Sequence, residues 1–324
     1  MLLDGEPLLA AAYVVAPGSV PAVPDLPGLD RVGYLTSTTA MELTVLPETL
    51  LVVGDGYVGM EQAQMFAGLG NRVTLVGRLA PHTEPEMAGV MLEAFAPGGI
   101  TVVEERVASV SQDAAGQVTV TTGVGTTVTA GSVLVATGRT ARTDGLGLTE
   151  APVDLDARGF VVVDEAQPDE QPADVGRRGR QRRPAVRVRR RGHRQGRRRE
   201  RPRRGLQGRL DGAAAGDVHP PQVGAAGMTE QQALDAGHDC DCHVLGATDI
   251  PRSLANQDPL GALNIVADAP TGRVLGVHAA LEGAGDVMLA ATYAIRNGMT
   301  VDDLADTWAP YLTMSETRRR VPSS

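Results

Sequence analysis

The sequence predicts an α/β fold followed by an α+β unit, and three stretches carry that prediction. The first reads strand, glycine turn, helix, strand between Thr49 and Val76. The second is a run of short strands from Ile100 to Arg139, and the third is a hairpin with capped helices after Met228. At 324 residues and 42% hydrophobic, the chain can bury one large core or several modest ones. No apolar run approaches the roughly 20 residues of a membrane-spanning helix, and the N-terminal MLLDGEP carries acid where a secretion signal carries base. A cytoplasmic chain without a membrane partner is expected.

TLLVV (Thr49 to Val53) is short, apolar and β-branched; it runs into GDGYVG, and MEQAQMFAGLG then reads as a helix closing on Gly70. RVTLV (Arg72 to Val76) follows at once. In such a βαβ unit Gly54 makes the tight turn, Gly56 lets a pyrophosphate approach the backbone, and Gly59 lets helix pack on strand. The helix's first amides and its dipole then favour phosphate. A GxGxxG word set between strand and helix predicts a Rossmann-like NAD(P)-binding domain, and a glycine-rich turn without a ligand is the alternative. After the second strand, where an NAD site usually places an acid for the ribose hydroxyls, stand Gly77 and Arg78. An arginine there suits a 2'-phosphate, so NADPH is favoured; the alternative is a solvated loop residue.

PEMAGVMLEAF reads as a helix, ITVVEE, QVTVTT and TTVTA as short strands, and SVLVATGR as a strand ending in a glycine turn at Gly138. Further on, Thr229 with Gln232 forms a capping box and Gly237 a stop. ALNIVADAPTGRVLGVHAAL reads as a hairpin with its tip at Pro270 to Gly272. A helix ending at Gly298 and another opened by Thr300 with Asp303 complete the α+β unit. Cys240 and Cys242 are too few for a disulfide framework and, two apart in an extended segment, would be strained as a pair. They read as solvent-side strand residues, with a soft-metal site as the alternative.

The order GxGxxG, strand, meander, ATGR resembles the NADP domain of the flavin-dependent pyridine nucleotide disulfide oxidoreductases. The words PAVPDLPGLD, YLTSTTAMEL, GYVGMEQAQMFAGLG, RTDGLGL, TGRVLGVH and GAGDVMLAATYAIRNGMTVDDLADTWAPYLTMSE bring it nearest to the mercuric reductases. They cover most of residues 13 to 165 and 221 to 316. Disulfide-reducing relatives carry a catalytic histidine near the last word, whereas this chain has Tyr311. The resemblance implies NADPH-dependent reduction of Hg(II) through FAD by a homodimer. It implies that Tyr57 lies between nicotinamide and flavin, that Glu61 borders the nicotinamide pocket, and that Tyr311 reaches the partner's active site. Gly138 joins Gly54, Gly56, Gly59, Glu61 and Arg78 as an expected cofactor-binding residue, and no resident metal is expected. From the residues alone, Tyr57 reads equally as a core aromatic and Tyr311 as an interface anchor.

Between Arg177 and Arg204 stand 16 arginines and one acid. That local +15 against a whole-chain net of −9 leaves −24 elsewhere. The family resemblance requires a word of the type WAAGDV here. Back-translating Asp174 to Arg191 with one legal codon choice and reading one base later gives MWAAGDVSGAPQFVYVA, although arginine codons force part of that match. Residues from about 168 to 220 are therefore read as translated off frame and disordered, and AAGDV at Ala214 to Val218 as an accident of frame. The expected division is 1–46 tail of the FAD domain, 47–140 NADP domain, 141–167 return to the FAD domain, 168–220 the arginine segment, and 221–324 dimerisation domain. The first flavin glycine motif and the redox cysteine pair are expected to be missing, which would leave the FAD site incomplete and this chain inactive alone. The competing readings are an inert NADP-binding, dimerising remnant and an arginine-rich nucleic-acid-binding fusion, the latter without aromatics for stacking.

Overall fold

The computed structural model describes residues 12–148, 151, 153–162 and 221–316, with short strands at 2–3, 6–7, 185–188 and 214–216. In chain order come β1 (Leu2–Leu3), β2 (Glu6–Pro7), β3 (Ala12–Val15), β4 (Ser19–Pro21) and β5 (Tyr34–Thr36). The βαβ region follows as β6 (Thr49–Val53), α1 (Tyr57–Gly68), β7 (Arg72–Val76), α2 (Pro85–Phe95) and β8 (Ile100–Val103). Then come β9 (Val107–Gln112), β10 (Val118–Thr122), β11 (Thr127–Ala130), β12 (Ser132–Val135), β13 (Arg139–Ala141), β14 (Ala185–Val188) and β15 (Ala214–Gly216). The C-terminal part holds β16 (Gln222–Gly227), α3 (Glu230–Asp235), β17 (Cys240–Gly246), α4 (Pro251–Asn256), β18 (Ala262–Asp268), β19 (Val274–Leu281), α5 (Ala284–Asn297) and α6 (Val301–Asp306). No described helix is long and apolar enough to cross a membrane.

Two compact units divide the chain, one of residues 1–20 and 139–210, the other of 21–138 and 211–324. In the first, β4 pairs with β13, and Arg139 Nε donates to Ser19 Oγ at 2.7 Å. Leu148, Val153 and Val161 form a small core against Val15. β14 pairs in parallel with β3. The segment 168–220, with its expected disorder, lies outside the described residues apart from β14 and β15. AVRV places the arginine run's two valines in one β-competent stretch.

The second unit is built on a five-stranded parallel sheet in the order β5-β12-β6-β7-β8. Its strands end level, with Val53 opposite Val76 and Val135, and Val76 opposite Val103. Side chains alternate across it. Leu50, Val52, Val73, Leu75 and Leu134 bury against α1 and α2, and Leu51, Val53, Val76, Val133 and Val135 bury against the meander β11-β10-β9. With both faces covered, the strands can be apolar throughout, as TLLVV is. Phe66 and Phe95, fully buried, seal the helices to the sheet, each contributing on the order of 2 kcal/mol.

The meander departs from the sequence expectation in one strand. ITVV, read as one of three short strands, is instead the edge of the parallel sheet, and VASVSQ supplies the third meander strand. β5, expected with the flavin-domain tail, hydrogen-bonds beside β12. α1 begins at Tyr57, inside the glycine word, three residues before the expected start.

The C-terminal residues form an antiparallel sheet in the order β15-β16-β19-β18-β17, with α5 packed on β16 and β19. Both expected capping boxes are present, at Thr229 with Gln232 and at Thr300 with Asp303. Gly298 ends α5 at φ 65°. The start of α2 is joined to α3 and to this sheet by polar contacts. Glu84 Oε1 accepts the Glu230 N–H at 2.5 Å, and Asn264 Nδ2 donates to Glu86 Oε2 at 3.4 Å. Asn264 stands opposite His278 in the β18–β19 register. His278 is buried, and its Nε2 donates to the Met228 carbonyl at 2.9 Å.

Burial pushes the His278 imidazole below its usual value, while the Met228 carbonyl, Glu84 and Glu86 pull the other way. The unfolded chain therefore binds the proton first as pH falls. Folding stability should be flat above about pH 6.5 and decline below it, towards the depressed folded value. Denaturant titrations from pH 7.5 to 5 should show this slope, and His278→Gln should remove that component.

Candidate functional site

The candidate site lies where the parallel sheet changes direction. β7 and β8 extend the sheet to one side of β6, and β12 and β5 to the other, so β6 and β12 flank the crossover at which such sheets bind ligands beyond their carboxyl ends. Backbone hydrogen bonds tie the strand ends together: Gly54 N–H to Val76 O at 3.2 Å, Gly77 N–H to Val103 O at 2.9 Å, and Ala136 N–H to Val53 O at 2.7 Å.

Each glycine of GDGYVG has a separate steric role. Gly54 sits at φ 129°, and a Cβ there would collide with the backbone of Ala136 and Thr137. A Cβ on Gly59 would strike the Gly54 carbonyl, so helix and loop can touch only through glycine. Gly56 differs, because its backbone is ordinary, at φ −80°, and a Cβ would meet nothing within 4 Å. Its bare face opens into the space before α1. Gly56 is also the N-cap of α1 and supplies no side-chain cap, and the first turn carries no acid. Uncapped amides, a bare backbone and an uncompensated dipole are what a pyrophosphate requires. The residues present therefore fit a dinucleotide.

Asp55, not singled out from the sequence, organises the other side of the loop. Its Oδ2 accepts the Arg78 N–H at 3.1 Å, and its carbonyl accepts the Ala80 N–H at 3.1 Å. Gly77, at φ 148°, lies so close that a Cβ would stand 2.6 Å from Asp55 Cβ. That packing leaves the end of β7 no room for a side chain at Gly77. The Arg78 side chain is exposed. The signal for Asp55 was present as the acid inside GDG, but its partner 23 residues away is set by the fold.

Of the expected site residues, the structure gathers Gly54, Gly56, Tyr57, Gly59, Glu61 and Arg78 around the β6–α1 turn and the end of β7. Tyr57 and Glu61 are half-buried on α1, Tyr57 packed against the helix-side core. Gly138, at φ 129° with open space at its Cβ, follows the Ala136–Thr137 backbone that Gly54 touches. Tyr311 is on a separate element, after α6, and is 82% exposed. A concavity of about 560 Å³ is lined by residues 23–31 and Tyr34, without any glycine-loop residue. Among the described residues no group of three or more His, Cys, Asp or Glu could hold a metal ion.

A parallel-sheet domain with this glycine loop, joined to an antiparallel α+β domain, defines a dinucleotide-binding oxidoreductase architecture. The family model for pyridine nucleotide-disulphide oxidoreductases matches residues 3–173, and that for the dimerisation domain of the same family matches 217–322. The chain belongs to this family. It is 42% identical to a mercuric reductase of Streptomyces lividans over 95% of this chain and 66% of that protein. Mercuric reductases of Lysinibacillus sphaericus and Bacillus cereus are 34% and 35% identical over 97% of this chain, covering 59% and 51% of theirs. The chain thus spans about half to two thirds of the length of these curated relatives. The fold matches the HOCl-induced flavoprotein disulfide reductase RclA of Escherichia coli in its Cu(II) complex, with TM-score 0.75 and 23% identity over 95% of this chain and 71% of that one. It also matches LpdA of Mycobacterium tuberculosis, with TM-score 0.72 and 25% identity over 96% and 69%.

The two loop glycines should respond differently to substitution. Gly54→Ala should destabilise the fold by about 1–3 kcal/mol, because both φ and space are wrong. Gly56→Ala should cost at most about 1 kcal/mol, the loss of a favoured N-cap residue, yet weaken NADPH binding, since its methyl group meets no protein atom and enters ligand space. Chemical denaturation and calorimetry on the two variants separate these outcomes.

Proposed function

We propose that this chain is the NADPH-binding and dimerising part of a mercuric reductase. The observation that carries the reading is the β6–α1 glycine loop, with its bare Gly56 face and uncapped helix, in a chain 42% identical to a mercuric reductase. NADPH, when bound, supplies a hydride for reduction. The chain's own part is to hold the pyrophosphate on the α1 amides and to offer Arg78 to the 2'-phosphate. By the family resemblance, Tyr57 would lie between nicotinamide and flavin and Glu61 would border the nicotinamide pocket, both from the first turns of α1, and Gly138 would leave open space for the cofactor.

The family resemblance implies FAD as the acceptor of that hydride, and the glycine loop is the part of this chain that serves the pyridine nucleotide. The chain's two cysteines both lie on β17, so its own thiols do not supply a redox pair beside the glycine loop. We therefore expect these 324 residues to bind NADPH without Hg(II)-stimulated NADPH oxidation. The arginine segment 168–220 is proposed to be translated off frame, on the 16 arginines against one acid between Arg177 and Arg204 in a chain otherwise net acidic. Peptide mass spectrometry across Arg177 to Arg204 tests it, since detection of the arginine peptides would exclude it.

Calorimetry tests the cofactor assignment. NADPH should bind more tightly than NADH by about 10-fold or more, the worth of a charge-assisted phosphate contact. Arg78→Glu should reverse the order. Equal affinities before and after the change would remove Arg78 from this role.

Homodimerisation is proposed from the exposed apolar residues of the C-terminal part. Leu289 and Tyr293 on α5 are each 57% exposed, and Trp308 is 88% exposed. Such residues are typical of an interface. Tyr311 is proposed to reach the partner's site from the same region. Light scattering should report a dimer, and Leu289→Glu with Tyr293→Glu should give monomers that retain NADPH binding.

A further inference from the structure

Cys240 and Cys242 play no part in the dinucleotide site. They are two residues apart on β17, so their side chains stand on one face of the strand. That face meets α3. Cys240 Sγ lies 3.9 Å from the Glu230 carbonyl, and the Glu230 carboxylate is near enough to Cys242 to push its thiol pKa up. Both thiols thus converge on one residue of α3's first turn, and both are free and half-buried. β17 is the outer strand of its sheet among the described residues.

Geometry sets what such a pair can hold. Cα atoms two apart on a strand are about 6.7 Å apart, whereas a disulfide favours roughly 5.5–6 Å and sulfurs about 2 Å apart. A bridging metal relaxes that demand. Two metal–thiolate bonds of about 2.3 Å span some 4.6 Å between sulfurs. A tetrahedral cation would need two more ligands, and no cluster of three or more candidate ligands exists among the described residues. A soft cation content with two thiolates needs none.

We propose that Cys240 and Cys242 form a two-thiolate site for a thiophilic, two-coordinate cation such as Hg(II), on a different sheet from the glycine loop. This proposal does not rest on the reading above, since it needs neither NADPH nor reduction. Binding forms two metal–sulfur bonds and breaks two S–H bonds, the protons pass to solvent, and no oxidation state changes. Glu230, Glu84, Asp239 and Asp268 place negative charge around the pair, which favours the cation. The same acids, with burial foremost, hold both free thiols protonated, Cys242 pushed up to about 12. The site therefore stays inert as a nucleophile until a metal displaces the protons.

The chain has two cysteines in all, so thiol titration reads this site directly. Reduced protein should take up one Hg(II) per chain with loss of both reactive thiols and without linking one chain to another. It should keep the ion against an excess of a monothiol competitor. Zn(II) should not compete at equal concentration. Cys240→Ser and Cys242→Ser should each weaken retention about 100-fold, the loss of the intramolecular second ligand. Two Hg(II) per wild-type chain, metal-linked chains, or single variants that retain the ion like wild type would each overturn the proposal. The wild-type stoichiometry stands even if a variant fails to fold.

Discussion

The arrangement depends on one close approach of backbone to backbone, that of Gly54 to Ala136 and Thr137. There the sheet reverses its order and two loops leave adjacent strand ends at the same level. No side chain fits between them. Because the loops touch through main chain, the mouth of the crevice is fixed by hydrogen-bonded strands and not by adaptable packing. The uncapped start of α1 is then held in a constant position relative to β7, which is the condition for phosphate to be met by preformed amides.

The second organising contact is polar. α2 presents Glu84 and Glu86 towards the C-terminal sheet, where the Glu230 amide and the Asn264 side chain receive them and His278 lies buried beside Asn264. Apolar contact runs along with it, since Val223, Ala262 and Ala280 of that sheet join the core formed by α1 and α2. Glu84 and Asn264 are buried, and such groups are costly if left unpaired, so their contacts specify how the two parts meet more than they add to stability.

Local signals were legible in the sequence, and pairings were not. Pro85–Phe95, Thr49–Val53 and Arg72–Val76 were each readable from a proline at the first helical turn or from β-branched runs bounded by turn residues, and both capping boxes were explicit in residues three apart. VASVSQ escaped because its alternation buries one valine fully, Val110, among serines and a glutamine that face outwards. ITVV was seen as a strand but not placed, because joining β7 in parallel is a choice among distant partners. In the site, the glycines were legible by type and spacing. Asp55 was not, since its acceptor role towards Arg78 arises only after β6 and β7 are paired.

The packing of Gly77 against Asp55 couples two positions that look independent in the chain. Converting such a site to the unphosphorylated cofactor is commonly imagined as placing a carboxylate at the tip of the second strand. Here a carboxylate at residue 77 would have to displace the one already donated by the loop, along with the amide of Arg78 that it fixes. A side chain at 77 is thus tied to the one at 55, and a change at the tip of the strand would have to alter both in one step.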